Sequence, residues 1–156
     1  MKILNNNNAM YTAYFSHPIR GLNGSEATEE DMAENCRRAT IMAGLVELTV
    51  PYLDLYVPAV HDEFVSRAYS MGIVSEDDIL DVDCQILADR HLLIVYQMDG
   101  VISSGMRREI DAAEALGIPV VYFDSLTTAV VDEIQGWLLF FEELSNIVAK
   151  ETMCKE

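Results

Sequence analysis

The sequence predicts an α/β fold in one domain, a parallel β-sheet with helices on both faces. Strand-length apolar runs alternate with longer segments of helical period, which is the βαβ rhythm of parallel sheets. Two of the runs, HLLIVY (91–96) and PVVYF (119–123), are apolar almost throughout, as strands covered on both faces must be. The length of 156 residues allows one domain with a core and hardly two, and 51% hydrophobic content favours a packed globule over a disordered chain.

Residues 1–10, MKILNNNNAM, read as a flexible N-terminal lead-in to a domain over 11–156. Tyr11–Phe15 (YTAYF) is an aromatic strand stopped by Ser16-His17-Pro18, and the RGLNGSEA that follows is rich in turn formers. Thr28 before Glu29, Glu30 and Asp31 is a capping signature, opening a helix through CRRATIMAGLVEL. Leu53–Val57 (LDLYV) is the second strand, closed by Pro58. His61–Met71 is a short helix with Gly72 as its stop, and Ser75 caps another that reaches about Ala88. Strand 91–96 follows, then a helix over Ser104–Leu116 ended by Gly117, strand 119–123, and a last helix from about Thr128 to Lys150. The fold expected is Rossmann-like, of the flavodoxin-like kind, and such sheets bind ligands at the carboxyl ends of their strands. That edge gathers the loops 16–24, 58–62, 97–104 and 124–127.

Charge narrows the partners. With 26 acidic against 10 basic residues the net charge is −16, a field that repels duplex nucleic acid. A small anion would need a local pocket of Arg and backbone N–H groups. No apolar run reaches membrane-spanning length and the N-terminus lacks a signal peptide's apolar stretch, so a cytoplasmic protein without membrane contact is expected. Cys36, Cys84 and Cys154 form no CxxC pair and no metal-type spacing with the three histidines, so they read as free thiols, with no metal and no cofactor. The phosphate-loop motif GxxxxGK[ST] and the dinucleotide fingerprint GxGxxG are both absent, which argues against a nucleotide triphosphatase and a dehydrogenase.

Two carboxylates sit on the wrong side of their helices. At about 100° per residue, Met106, Ile110, Ala113 and Leu116 form one apolar stripe, while Arg107, Asp111 and Glu114 face water. Glu109 falls inside the stripe. On the preceding helix Asp83 falls among Ile79, Leu80, Ile86 and Leu87, too far along for the helix dipole to excuse it as it does Asp77, Asp78 and Asp81. Inward carboxylates must be paired, hydrogen-bonded or set in a cleft. They are either edge residues reaching water or an Arg, or a shared site suited to cleaving a glycosidic bond. Ser103-Ser104-Gly105 stands between a strand and the Glu109 helix, where free N–H groups can meet an anion, or where it is a plain cap and turn.

These residues resemble the nucleoside 2-deoxyribosyltransferase superfamily, especially its 2′-deoxynucleoside 5′-phosphate N-hydrolase branch. AYFSHPIRG (13–21) is similar to the hydrolases' first strand and loop, YF…x-I-R-G; Asp83 stands at the matching offset before the strand LLIV. Ser103, Gly105, Glu109, Ile110 and Ala113 are similar to the nucleophile helix, S-x-G-x-x-x-E-[IL]-x-x-A, ahead of a G-x-P-V strand start. The resemblance implies that Glu109 is the nucleophile at C1′ of the sugar, that Asp83 positions substrate and assists protonation of the leaving base, and that Tyr14 hydrogen-bonds Glu109. It implies that Arg20 and Gly21, with Ser103 and Gly105, hold a 5′-phosphate; Ser104 and His17 complete the candidate substrate contacts. His17-Pro18 departs from the Gly-Ser of the hydrolase loop, Arg107 from a Gly and Arg108 from an aromatic residue. Either Arg reaches an anion or decorates a solvated face. His61 has no secure counterpart, and reads as a contact to the base or as a surface helix-start histidine.

The function expected is hydrolysis of the N-glycosidic bond of a (deoxy)nucleoside 5′-monophosphate. Base exchange on a nucleoside is the near alternative, and a module that binds or sequesters a nucleotide-derived metabolite is the alternative of another class. Trp137 to Phe141 (WLLFF) wraps a helix in large apolar residues, and a homodimer or higher homo-oligomer through this region is expected.

Overall fold

A computed structural model describes residues 11–153. The lead-in at 1–10 and Cys154 lie outside the described residues. The order of elements is β1 (Tyr11–Ser16), α1 (Glu29–Thr49), β2 (Leu53–Tyr56), α2 (Asp62–Ser70), α3 (Glu76–Ala88), β3 (Leu92–Tyr96), α4 (Ser104–Leu116), β4 (Val120–Phe123) and α5 (Thr128–Met153), with short 3-10 turns at Gly21–Glu26, Pro58–His61 and Met98–Gly100. The four strands are all parallel in the order β2-β1-β3-β4. This is the Rossmann-like architecture, with the leading strand order of flavodoxin-like sheets and a topological switch point between β1 and β3.

The helices begin where their caps dictate. Thr28 Oγ1 accepts from Asp31 N–H at 3.1 Å while Asp31 Oδ2 accepts from Thr28 N–H at 2.9 Å. Ser75 and Asp78 repeat the reciprocal pair at 3.1 and 2.8 Å at the start of α3. Gly117 ends α4 at φ 69°, a left-handed conformation that only glycine adopts without strain.

Strand alternation sorts the core into two layers. On one face Tyr11, Ala13, Phe15, Leu92, Ile94 and Phe123 pack with Ala39, Ala43 and Val46 of α1 and Ile134 and Leu138 of α5. On the other, Tyr14, Leu93 and Val95 pack with Leu87 of α3 and Met106, Ile110 and Ala113 of α4. Helices therefore cover both faces.

Some boundaries and faces differ from the sequence reading. His91 and Pro119 stand outside their strands, and α5 continues to Met153. Leu116 is 57% exposed, because the last turn of α4 has passed beyond the sheet that buries the rest of its stripe. Within 137–141, Leu138 is buried and Trp137 and Phe141 pack on the core, leaving Leu139 and Phe140 exposed with Leu144, Ile147 and Val148 beyond them. Among the described residues no helix is long and apolar enough to cross a membrane.

Candidate active site

The site is built on β1. Period-two alternation sends Tyr14 and Ser16 to the α3/α4 face, and both are fully buried there. Glu109, on the inner face of α4, is also buried, at 6% exposure. Tyr14 donates its hydroxyl to Glu109 Oε1 at 2.7 Å, and Ser16 donates to Oε2. Each carboxylate oxygen thus carries a hydroxyl from the central strand, a geometry that fixes its rotamer.

Electrostatics follow from burial. Burial pushes Glu109 up to about 7, against the two hydroxyls, which favour its charged form, and with a smaller push from Asp83. Asp83, half-buried on α3, is raised to about 6 by burial, opposed by the Tyr14 hydroxyl and by His61. Tyr14 is held well above its usual range by burial and by both carboxylates, so it remains a hydrogen-bond donor at neutral pH. Burial thus raises both carboxyls, and Tyr14 links them as one interacting pair. Cys84, half-buried beside them, is raised by burial and by Glu109, and its thiol stays protonated.

An aromatic wall stands over the pair. Tyr56, in register with Tyr14 across β1 and β2, lies 5.4 Å from its ring. His61 stacks on Tyr56 at 5.1 Å with 14° between planes, and the Arg90 guanidinium sits 5.6 Å from the Tyr56 centroid.

The anticipated phosphate contacts are distributed less compactly. At the head of α4, Ser103 Oγ accepts from Met106 N–H at 3.2 Å, and Ser103 N–H meets Met106 Sδ at 3.5 Å. The first-turn N–H groups of Ser104 and Gly105 have no carbonyl behind them within the helix, so this end can receive an anion. Gly105 lies close to α3: a Cβ there would sit 3.2 Å from Leu80 Cδ2. Gly21 has φ 62°, and a Cβ would come within 2.6 Å of Asn35 Nδ2, which donates to Ile19 O at 2.9 Å. Arg20 is exposed, 4.0 Å from Glu76, and lines a groove of about 720 Å³ with Asn23, Asp31, Asn35, Arg37 and Asp99. None of Tyr14, Asp83 and Glu109 lines that groove. Arg108 is drawn to α3, paired with Asp77 at 3.2 Å and with Asp81, and Arg107 is exposed.

His17 is turned away from a ligand role. It is buried, its Nε2 accepts from Ala59 N–H at 3.2 Å and its Nδ1 lies 3.4 Å from Pro18 O. Burial lowers it to about 4, so it stays neutral and ties the end of β1 to the turn after β2.

Tyr14, Asp83 and Glu109 thus come together as a site, with Ser103–Gly105 at the head of the same helix as Glu109. Ser16 and Tyr56 were not foreseen as its members. Ser16 was within reach of inference, two residues after Tyr14 on one strand; Tyr56 required knowledge that β2 pairs with β1. Among the described residues no three His, Cys, Asp or Glu side chains converge as a metal cluster would. Comparison of the chain with protein-family models, with curated proteins and with solved structures returns no match.

Proposed function

We propose that this chain hydrolyses the N-glycosidic bond of a (deoxy)nucleoside 5′-monophosphate, as its resemblance to the nucleoside 2-deoxyribosyltransferase superfamily implies. The observation that carries the reading is Glu109, buried on an apolar helix face with a hydroxyl on each oxygen and a second carboxyl, Asp83, sharing Tyr14. A Glu Oε attacks C1′ as the C1′–N bond breaks, the bonding pair leaves with the base, and Asp83 assists its protonation. Water then displaces Glu109 from C1′ and releases the sugar phosphate. A buried carboxylate beside a developing oxocarbenium ion acts in a low dielectric, where its charge is most effective.

Incubation with a panel of nucleoside monophosphates, reading free base by chromatography, tests this, with Glu109→Gln as the control that must be inert. Arg20→Ala should raise KM for the monophosphate roughly ten- to hundred-fold, as loss of a charge-assisted contact does, and leave the unphosphorylated nucleoside unaffected. Binding without base release from any substrate would make the chain a nucleotide-binding module.

A second reading is base exchange on an unphosphorylated nucleoside. It is favoured by His17, whose ring nitrogens are engaged with backbone, and by Arg20, which faces Glu76 rather than the carboxylate pair. Faster turnover of the nucleoside, stimulated by a second free base, selects it.

Self-association through α5 belongs to the same proposal. The exposed row Phe140, Leu144, Ile147 and Val148 recurs at helical spacing along the outer part of that helix, and a second copy presenting the same row would cover it.

A further inference from the structure

We propose that the groove beside Arg20 holds the distal nucleoside of a dinucleotide, so that the substrate class is a nucleoside whose 5′-phosphate is linked onward to a second nucleoside. The proposal rests on the N-glycosidase reading for the bond that is cleaved, and adds a subsite outside the carboxylate pair.

Contacts place Arg20 between the pair and the groove. Its guanidinium lies 4.0 Å from Glu76, in the first turn of α3. Leu80 stands one turn further along that helix, and its Cδ2 is 3.2 Å from where a Gly105 Cβ would be. Gly105 in turn precedes Glu109 by one turn of α4, a rise of about 6 Å. A pentose with its 5′-carbon spans that rise, from C1′ at Glu109 to a phosphate between Arg20 and the head of α4. Arg20 also lines the groove of about 720 Å³, whose other walls are the Gly21–Glu26 turn, the first half of α1 and Asp99. That volume falls in the usual range of small-molecule sites, about 300–1,000 Å³, and is far more than a terminal phosphate fills. A phosphate held at Arg20 therefore has room for a large substituent on its outer side.

The walls select the chemistry of that substituent. Arg37 donates to both oxygens of Glu34 at 2.7 Å, and Arg38 to both oxygens of Asp99 at 2.8 and 2.9 Å. Asp31 accepts from Asn23 Nδ2 at 3.2 Å and from Thr28 N–H at 2.9 Å. Beyond Arg20 the guanidiniums are thus already paired, and Glu30 and Asp31 leave a surplus of negative charge. A longer phosphate chain running into the groove is disfavoured there. The group that fits is uncharged and rich in donors and acceptors. A nucleoside has hydroxyls and amino groups for the carboxylates and for the amides of Asn23 and Asn35. Its planar base has Leu22 and the Arg37 guanidinium, a group that stacks on aromatic faces.

The test uses the full chain and, for each common nucleoside, a matched series of compounds. These are the 5′-monophosphate, its phosphate methyl ester, and dinucleotides joined to a second copy of the nucleoside through one phosphate or through two. Free base is read by chromatography. For the base cleaved fastest, the better dinucleotide should exceed the methyl ester in kcat/KM by about tenfold or more, because contacts remote from the reacting bond add to transition-state binding. Ala33→Trp places a bulky ring in the groove from an exposed position of α1, and should erase that gain while leaving the monophosphate within about twofold of wild type. Leu22→Ala, at an exposed position of the turn, should reduce the gain by about threefold and serves as the variant that cannot overfill the groove. Equal rates on the dinucleotides and the methyl ester, or a gain that survives both variants, would overturn the subsite. Wild-type protein that releases base from none of the compounds would overturn the N-glycosidase reading. Calorimetric titration of Glu109→Gln then judges the subsite by itself: a dinucleotide should bind about tenfold more tightly than the methyl ester, and equal affinities would remove it.

Discussion

Glu109 is a side chain whose local chemistry and stability effect point in opposite directions. A carboxyl that binds its proton more tightly in the folded chain favours folding at low pH and opposes it once pH passes the folded value. For Glu109, raised to about 7 from 4.5, the cost above neutrality is about 3 kcal/mol, and Asp83 at about 6 adds in the same sense. Glu109→Gln should therefore abolish turnover and raise the melting temperature at pH 8, with a much smaller gain at pH 4. A calorimetric scan at both pH values checks it, and equal effects would mean the carboxylate is not held in a protonating environment. His17 works in the other direction. Folded at about 4, it removes stability as pH falls from 6.5 toward 4, because the unfolded chain then gains the proton. Ser16→Ala removes a donor that favours the charged form of Glu109, and should move the acidic limb of the pH–rate profile upward by about one pH unit.

Two glycines show how elements meet. At Gly21 the chain leaves β1 with positive φ and passes directly against Asn35 of α1, so Gly21→Ala meets strain and a clash together. A loss of about 2 kcal/mol or more is expected, read as a fall in melting temperature. At Gly105 the neighbour is the terminal methyl of Leu80, which moves aside by a few tenths of an ångström, so Gly105→Ala should cost less than about 1 kcal/mol. If both alanines cost the same, the packing account of the two contacts fails. The helices themselves were readable because their caps are local: Thr28 with Asp31 and Ser75 with Asp78 are three residues apart. The inward carboxylates were readable for a similar reason, since helical phase is set within one element. Tyr56 was not readable, because its place depends on the pairing of strands about forty residues apart, and neither was the retreat of His17 onto Ala59, which is a contact across the same separation.

At the level of the whole molecule, the net charge of −16 disperses copies of the chain, whereas the proposed interface along Phe140, Leu144, Ile147 and Val148 would draw them together. Self-association should therefore strengthen with salt. Light scattering at 50 and 500 mM NaCl is expected to give a larger mass at the higher salt, and Leu144→Glu should return the protein to 17.5 kDa. A mass of 17.5 kDa at both salts would remove α5 as an interface. Leu144 is the better probe than Trp137, because Trp137 also packs on the core and its substitution would confuse assembly with folding. The fold class was legible from the alternation of strands and helices, and its strand order agrees with the flavodoxin-like expectation.

The inner position of β1 has a consequence for time as well as place. Its backbone is hydrogen-bonded to β2 on one side and β3 on the other, so its amides should exchange with deuterium only when the domain unfolds. α2, with Ala68 as its one buried residue, has little to hold it and should exchange orders of magnitude faster. Mass spectrometry of exchanged peptides separates the two, and equal protection would contradict it. The hydroxyls that aim Glu109 then belong to the slowest part of the chain, and the segment beginning at His61 to one of the fastest. The setting of Glu109 and the opening of α2 are therefore governed by separate free energies, so a mutation in α2 should change local exchange without disturbing the hydrogen bonds to Glu109.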